Sequence, residues 1–224
     1  SRKNPIGDHD IILTATPEKM RVIQEKYYYP NNSILVVAGA VNHAEVAKEV
    51  EKLYGDWERS GFDIFEKYPV PEMKPLQKSE SFITLNDQTQ VPIMMMGQFG
   101  PSVSKDPGAT YAADVFHTIT SLETSSFQKN LIQSGLAYQA MSVYQTMDHV
   151  GPIMIIFVPN PQRTEEAIQA LEKEISRWAD DDYFTDSQLE AAKRQLAISD
   201  IYSRESTSNF VHSLTFWWAS ANLD

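Results

Sequence analysis

The sequence predicts an α+β fold, in which a layer of mostly antiparallel sheet carries helices packed on one face. The second half of the chain alternates between strand-like runs and helix-like runs, each in small groups, and this order is typical of such a layer. Hydrophobic residues make up 42% of the 224 residues and aromatic residues 11%, which is enough apolar material for a packed core.

The first elements form a helix, a strand and a second helix. Thr16-Pro17-Glu18 combines an N-cap residue, a proline and an acid in the first turn, and predicts a helix over residues 16–28. A Pro-Asn-Asn turn follows, and then a continuous apolar run over residues 33–41, which predicts a central strand buried on both faces. Asn42 caps the next helix, which Gly55 closes.

Residues 61–78 separate this block from the rest of the chain. Three prolines with charged neighbours lie in the segment, at Pro69, Pro71 and Pro75, and they predict an extended linker. We therefore expect residues 1–60 to be the helix-strand-helix end of a preceding domain. Residues 79–224 form a second α+β domain, which we expect to be truncated at its end.

The second domain opens with two strand-like runs, residues 81–85 and 90–99, and the turn residues Asn86-Asp87 between them predict a hairpin. A helix begins at Pro107, and a short helix over residues 126–133 ends at Gly135. The remaining predicted elements are strands 136–144 and 152–158 and helices 164–178, 188–202 and 207–218.

Composition excludes several classes of function. The formal net charge of −11, without a basic patch, disfavours binding to nucleic acid or to an anionic membrane, whereas a cationic or neutral peptide is compatible with it. The longest apolar run, Val91 to Met96, is too short to cross a membrane. There is no cysteine, so thiol chemistry and disulfides are excluded, and an exported or periplasmic bacterial protein is slightly favoured over a cytosolic one.

The five histidines form no helical zinc-binding pair, because none has a second histidine three or four residues away. His43 with Glu45 and Glu49 comes nearest to a ligand cluster, but polar residues at a helix start are usually solvated. His117, beside Phe116 on an amphipathic helix, is typical of a hydrogen-bonded core or boundary histidine. Asp180-Asp181-Asp182 lacks the spacing and the distal Glu of a calcium loop, and we expect a solvated loop there.

Nucleophilic and nucleotide-binding sites are also missing. Ser125-Ser126 and Ser134-Gly135 lack the frame of a nucleophile elbow, and the sequence has no glycine-rich phosphate loop. Met94-Met95-Met96 could line an adaptable peptide groove, but we expect all three to be ordinary core residues. We therefore predict no catalytic residue, no cofactor-binding residue and no metal ligand in this chain.

Two motifs resemble the pitrilysin/insulinase zinc metallopeptidases, the group that includes mitochondrial processing peptidase. The first is Tyr28-Tyr29-Pro30-Asn31-Asn32, followed by an apolar strand ending at Gly39 and by Tyr54-Gly55-Asp56-Trp57. The second is Gly135-Leu136-Ala137-Tyr138, which in that family ends a helix and begins a strand. Together they span most of the chain.

The resemblance implies a segment downstream of the family's zinc motif, of the inactive C-terminal type, that helps to enclose an unfolded peptide in a chamber. In that family HxxEH supplies two zinc ligands and a general base, and a distant Glu is the third ligand. None of these is present here, so zinc is expected only in an HxxEH-bearing half or partner subunit. The parent protein would then be a zinc metalloendopeptidase, while this segment alone would be inactive.

Two departures from the family pattern prevent the transfer of functional residues. The loop before the second motif, residues 121–126, contains no glycine, and residues 151–160 contain neither the Arg nor the Tyr by which active members contact substrate. An alternative therefore stays open, that of a structural or assembly subunit derived from such a peptidase, with no proteolytic role. A third reading is an unrelated peptide-binding module.

Overall fold

The computed structural model describes residues 7–88 and 91–221, and the chain divides into two compact units, Ser1–Pro71 and Glu72–Asp224. The helices of unit 1 are α1 (His9–Leu13), α2 (Pro17–Tyr27), α3 (His43–Tyr54) and α4 (Ile64–Lys67), with a 3₁₀ turn at Pro30–Asn32. The elements of unit 2 are β1 (Met94–Gly100), α5 (Pro107–Ser121), α6 (Ser126–Gln128) continued by a π turn (Lys129–Gln133), β2 (Ala137–Tyr144), β3 (Gly151–Pro159), α7 (Thr164–Ser176) with a 3₁₀ turn (Arg177–Ala179), α8 (Asp186–Ser203) and α9 (Thr207–Ser220).

The two long helices of unit 1 begin where their capping residues predict. The Thr16 hydroxyl accepts a hydrogen bond from the Lys19 amide at 3.4 Å, at the start of α2. The Asn42 side chain accepts from the amides of Ala44 and Glu45 at the start of α3. Each cap satisfies backbone donors that the helix itself cannot pair.

The prediction that residues 33–41 form a buried central strand is wrong. This segment has no ladder partner among the described residues of unit 1, and Leu35 and Val37 are 58% and 48% exposed. An apolar run becomes a buried strand only when neighbouring strands and a covering layer are available to it. The described part of unit 1 provides helices and irregular chain but no strand.

The segment between the blocks is less extended than its prolines predict. Asp63 caps the short helix α4 by accepting from the amides of Phe65 and Glu66 at 2.9 and 2.8 Å. Ile64 is only 4% exposed, so burial of its side chain stabilises this turn.

The sheet of unit 2 has the order β1-β3-β2, and both pairs of strands are antiparallel. This arrangement confirms the α+β prediction. The predicted hairpin is not formed, because residues 81–86 are irregular, with Phe82, Ile83 and Leu85 88–89% exposed, and β1 pairs instead with β3. Of the predicted strand residues, Gln90 lies outside the described residues.

One face of this sheet is covered by helices and forms the core. Phe157 and Ile155 of β3 and Ala140 of β2 are at most 5% exposed. They pack against the turn after α6 and against α7, through Phe127, Leu131 and Leu171. Burial of these apolar side chains away from water stabilises unit 2.

Gly135 connects the turn after α6 to β2. It has φ of +73°, a left-handed conformation that glycine adopts without steric cost. The predicted helix end at this position is therefore confirmed. Thr185 and Gln188 form a reciprocal capping box at the start of α8, the helix predicted over residues 188–202.

Candidate functional site

The most accessible element of the sheet is the edge strand β1. Five of its seven residues are exposed, including Met95 at 66%, Met96 at 44% and Phe99 at 38%. Its register with β3 is continuous from Met94 to Gly100, without a bulge. Among the described residues, no strand pairs with its other edge.

This edge lacks the features by which proteins usually protect an open strand. Edge strands are commonly blocked by lysine, by proline or by a bulge, because their unpaired amides and carbonyls recruit other strands. β1 contains only Met, Gly, Gln and Phe. Within the part of the chain that the structure describes, its main-chain groups on that side have no strand partner.

The strands carry no charge, although unit 2 is strongly acidic. Residues 72–224 contain nineteen Asp and Glu but ten Lys and Arg, a net charge of −9. None of the residues of β1, β2 or β3 is charged. The acidic residues of unit 2 lie on its helices and loops, so the sheet is an uncharged surface within an acidic unit.

The outer face of the sheet is apolar and only partly covered. In the strand register, Met95 lies opposite Ile156, and Phe99 lies opposite Pro152. On the far side of β3, Met141 of β2 also lies opposite Ile156 and is 43% exposed. Methionine side chains adapt to differently shaped partners, so this face is suited to variable apolar contacts.

These positions correct one prediction about the methionines. Met94 packs against the core cluster, as predicted, but Met95 and Met96 are exposed rather than buried. The helices cover the inner face over β2 and β3, and Met96, which shares that face with Ile155 beside it, lies beyond their cover. An apolar triplet in an edge strand cannot reveal from sequence where the covering layer stops.

A buried polar cluster holds the end of β1 against helix α5. The Tyr144 hydroxyl donates to the carbonyl of Pro101, directly after β1, at 2.9 Å and lies 3.2 Å from the Thr110 hydroxyl. The Gly151 amide donates to the same carbonyl at 2.9 Å. The end of the edge strand is therefore fixed by groups from β2, β3 and α5.

His117 completes this cluster. Its Nδ1 is hydrogen-bonded to the Ser142 hydroxyl, and its ring stacks on Tyr144 with 6.2 Å between ring centroids. Phe116 and Trp178 enclose the ring edge-on. Burial in these aromatic surroundings lowers the pKa of His117 to about 4. This confirms the expectation of a core histidine.

We expect the stability of unit 2 to fall as the pH is lowered from about 6.5 to about 4. The unfolded chain takes up a proton on His117 near pH 6.5, whereas the folded chain does so only near pH 4, so the unfolded state binds more protons in that window. The loss amounts to roughly 3 kcal/mol across the window. Urea titrations at several pH values measure it. His117→Gln, which keeps a hydrogen-bonding side chain without a titrating ring, should flatten the pH dependence, and an unchanged slope in this variant would contradict the assignment.

A second buried network surrounds Glu174 on α7. Glu174 is 2% exposed, and its carboxylate accepts hydrogen bonds from Ser126, Asn130 and Tyr183. The Trp178 indole N–H donates to the Tyr183 hydroxyl at 3.0 Å. Burial, with a further contribution from Glu174, raises the pKa of Tyr183 to about 12. The network joins α6, the π turn and α7 beneath the sheet.

The loop before the second motif is held by glutamine side chains. The Gln128 amide group donates to the carbonyl of Thr120 at 3.1 Å, that of Gln133 to Glu123 at 2.7 Å and that of Gln188 to Thr124 at 2.9 Å. Two of the acceptors, Glu123 and Thr124, lie in the segment without glycine, and the third, Thr120, lies at the end of α5. The structure of this chain therefore provides a positioned loop rather than a hinge.

The other sequence candidates lie apart and have structural partners. Glu49 on the exposed helix α3 pairs with Lys52 at 2.8 Å. Arg177 lies 3.3 Å from Asp180 and 3.8 Å from Asp182. Each of the three serines has a hydrogen-bond partner: Ser125 accepts from the Gln128 backbone amide, Ser126 donates to the Glu174 carboxylate and Ser134 donates to the Asn130 backbone carbonyl. Within residues 7–88 and 91–221, no three His, Asp or Glu side chains converge on a metal position.

We expect the purified chain to hold no stoichiometric zinc. Its histidines are separate, and lone histidines seldom bind a structural ion. Elemental analysis after exhaustive dialysis should give far less than one zinc per chain. About one tightly bound zinc per chain would contradict this prediction.

The fold and the site together describe a helix-covered antiparallel sheet with an open apolar edge strand, without an assembled catalytic or metal centre among the described residues. The family model that matches the chain is the "Peptidase M16 inactive domain", over residues 14–196. The chain therefore belongs to the M16 peptidase inactive-domain family. This confirms the resemblance deduced from the two motifs and the assignment to a non-catalytic domain type.

Solved structures with the same fold come from several bacteria. A protease from Helicobacter pylori is 23% identical, with a TM-score of 0.75, and the match covers 98% of this chain and 53% of that one. A peptidase M16 inactive domain from Pseudomonas fluorescens is 18% identical, with a TM-score of 0.77 and coverage of 97% and 50%. The periplasmic protease PqqL from Escherichia coli is 16% identical, with a TM-score of 0.63 and coverage of 96% and 24%.

This chain spans about half, or less, of each of these structures. A search of curated proteins found no match. Within the part of the chain that the structure describes, no helix is long and apolar enough to cross a membrane.

Proposed function

We propose that this chain is a non-catalytic segment of an M16 zinc metallopeptidase, and that it helps to enclose an extended peptide beside an HxxEH-bearing half or partner subunit. The observation that carries the proposal is the outer edge of β1, which pairs with no other strand among the described residues and contains no charged residue or proline. Pairing of an extended peptide with such an edge is a recurrent mode of peptide recognition. Membership of the inactive-domain family supports the division of labour between two halves.

In this proposal the segment positions the peptide and supplies no catalytic group. The sheet is rigid behind the edge, because Phe157 and Ile155 are buried in the core and Tyr144 fixes the chain after β1. A peptide added to this edge is held extended, at an entropic cost reduced by the preformed strand. Enclosure would also exclude bulk water from the peptide, while the HxxEH half supplies the hydrolytic chemistry.

The test compares peptide cleavage by the HxxEH-bearing half with and without this chain. We expect the chain to raise both the affinity for an unfolded peptide and the rate of its cleavage, and to cleave nothing by itself. A chelator-sensitive turnover by the chain alone would show a site that the proposal does not contain. Unchanged cleavage and unchanged peptide affinity would overturn the enclosure function and favour the alternative of a structural or assembly subunit.

A proline variant makes this test specific to the strand edge. Gln98→Pro introduces a residue that lacks an amide donor and is poorly tolerated inside a strand. Gln139→Pro is the matched control, because Gln139 lies in the opposite edge strand β2 and is also exposed. Both variants must first show the thermal unfolding of a folded protein. Loss of the stimulating effect in Gln98→Pro alone is the expected result, and equal loss in both would contradict a role for β1.

A further inference from the structure

Residues 58–68, which we call the strap, follow the Tyr54-Gly55-Asp56-Trp57 motif near the end of unit 1. The strap lacks regular structure until the short helix α4 begins at Ile64. Within the part of the chain that the structure describes, residues 58–62 form no hydrogen bond from main chain to main chain. The position of this segment therefore depends on side-chain contacts.

Asn31 supplies the hydrogen bonds that hold the strap. Its side-chain carbonyl accepts from the Ser60 amide at 3.0 Å, and its side-chain amino group donates to the Ser60 hydroxyl at 2.8 Å. The Ser60 hydroxyl in turn donates to the Phe62 carbonyl at 2.8 Å. Because an asparagine side chain carries the same kinds of donor and acceptor as a peptide group, Asn31 takes the place of a neighbouring main chain for a residue 29 positions away.

An aromatic cluster joins the same two segments. Tyr29, directly before the 3₁₀ turn, packs edge-on against Phe62, with 5.7 Å between the ring centroids. Tyr27 at the end of α2 lies 5.9 Å from Tyr68, and the Phe62 and Tyr68 rings are 6.1 Å apart. The Lys67 ammonium lies 3.7 Å from the centroid of the Phe62 ring. Such ring contacts tolerate a range of geometries, so the directional hydrogen bonds of Asn31 set the position of the strap.

The adjacent Asn32 acts on a different segment. Its side-chain amino group donates to the Tyr27 carbonyl at 2.9 Å, at the C-terminal end of α2, where carbonyls lack partners within the helix. The two asparagines of the Tyr28-Tyr29-Pro30-Asn31-Asn32 motif are therefore not equivalent. Asn32 stabilises the end of the preceding helix, and Asn31 binds the strap.

We infer that Asn31 is a positioning residue that holds the strap against the turn after α2, and that it thereby determines where the folded part of unit 1 ends. With the strap held, the irregular chain that leads to unit 2 begins at residue 69. With the strap released, it begins at residue 58. Because the reach of an irregular connection increases with its length, Asn31 controls the reach of this connection. The inference concerns unit 1 and does not depend on peptide binding at β1.

Limited digestion of the chain with trypsin tests this role, because cleavage requires local opening. Cleavage after Arg59 reports release of the strap, and cleavage after Lys78, in exposed irregular chain, is the internal control. We expect Asn31→Ala to raise the initial rate of cleavage after Arg59 about tenfold, the order of magnitude for lost hydrogen bonds. The rate after Lys78 should stay unchanged. Gln24→Ala, at an exposed position of α2, is the matched control and should change neither rate.

Two further measurements distinguish strap release from general destabilisation. Asn31→Asp keeps an acceptor for the Ser60 amide but loses the amide donor, so an intermediate rate is expected. In Asn31→Ala, amide hydrogen exchange should become faster in residues 58–68 and stay unchanged in α3. An unchanged rate of cleavage after Arg59 in Asn31→Ala would overturn the inference. Equally faster exchange in the strap and in α3 would also overturn it, because Asn31 would then stabilise unit 1 as a whole.

Discussion

Glu174→Ala is expected to lower the free energy of unfolding of unit 2 by roughly 3–5 kcal/mol. The substitution removes a buried acceptor from the hydroxyls of Ser126 and Tyr183 and from the amide of Asn130. Of these donors Tyr183 is itself buried, at 6% exposed, and a buried donor without an acceptor costs more than the net contribution of an ordinary hydrogen bond. The truncated side chain also leaves a cavity in a position that is 2% exposed.

Equilibrium unfolding in urea, followed by circular dichroism, measures this loss. Glu172→Ala is the matched control, because Glu172 is an exposed carboxylate on the same helix, and its effect should stay within about 0.5 kcal/mol. Glu174→Gln keeps the size of the side chain and one acceptor oxygen, so an intermediate loss is expected. Equal stability of the two alanine variants would show that the network does not hold α6 and α7 together.

Phe157→Ala is expected to lower the free energy of unfolding by about 3–5 kcal/mol, the usual cost of removing a buried phenylalanine. Phe157 is 1% exposed, at the centre of the sheet, opposite Met94 of β1 and Ala140 of β2. Truncation removes the buried apolar surface of the phenyl ring and leaves a cavity beneath both neighbouring strands.

Phe99→Ala tests the same chemistry at the open edge. Phe99 lies on β1 of the same sheet but is 38% exposed, so its truncation should cost less than about 1.5 kcal/mol. The two variants therefore compare the stability lost by truncating a phenylalanine on the covered part of the sheet with the stability lost at its accessible edge. A loss for Phe99→Ala as large as that for Phe157→Ala would contradict the description of β1 as uncovered.

Most helices of this chain could be predicted because their signals are local. The Thr16-Pro17 cap and the Thr185 to Gln188 capping box each lie within four consecutive residues, and the structure forms both helices at those points. The Gly135 helix end depends on one residue that accepts a left-handed backbone. Such features need no information from distant parts of the chain.

The strand errors come from missing information about partners. The run over residues 33–41 has the composition of a buried strand, but burial requires neighbours that the described part of unit 1 does not provide. Residues 81–85 have the same composition and stay exposed, while β1 pairs with β3 over fifty residues later in the chain. Composition indicates that a segment can be a strand, and only the tertiary structure determines its partner.

The sequence predicts the kind of function but not the position of the candidate site. The family resemblance and the absence of catalytic motifs predict peptide enclosure without a catalytic centre, but they do not indicate which element would hold the peptide. The exposure of Met95 and Met96 does not follow, because the extent of the covering helices cannot be deduced from the triplet itself. The bond between His117 and Ser142 and that between Ser126 and Glu174 join residues 25 and 48 positions apart, beyond the reach of local patterns.

Amide hydrogen exchange of the chain, with and without a saturating extended peptide, tests the central claim most directly. Alternate residues of an edge strand point their amides away from the sheet, so peptide pairing should slow exchange at alternate amides of β1. Exchange in β2, the opposite edge, should stay unchanged. A bound peptide that leaves β1 exchange unaltered, or that protects β2 instead, would contradict peptide binding at the β1 edge.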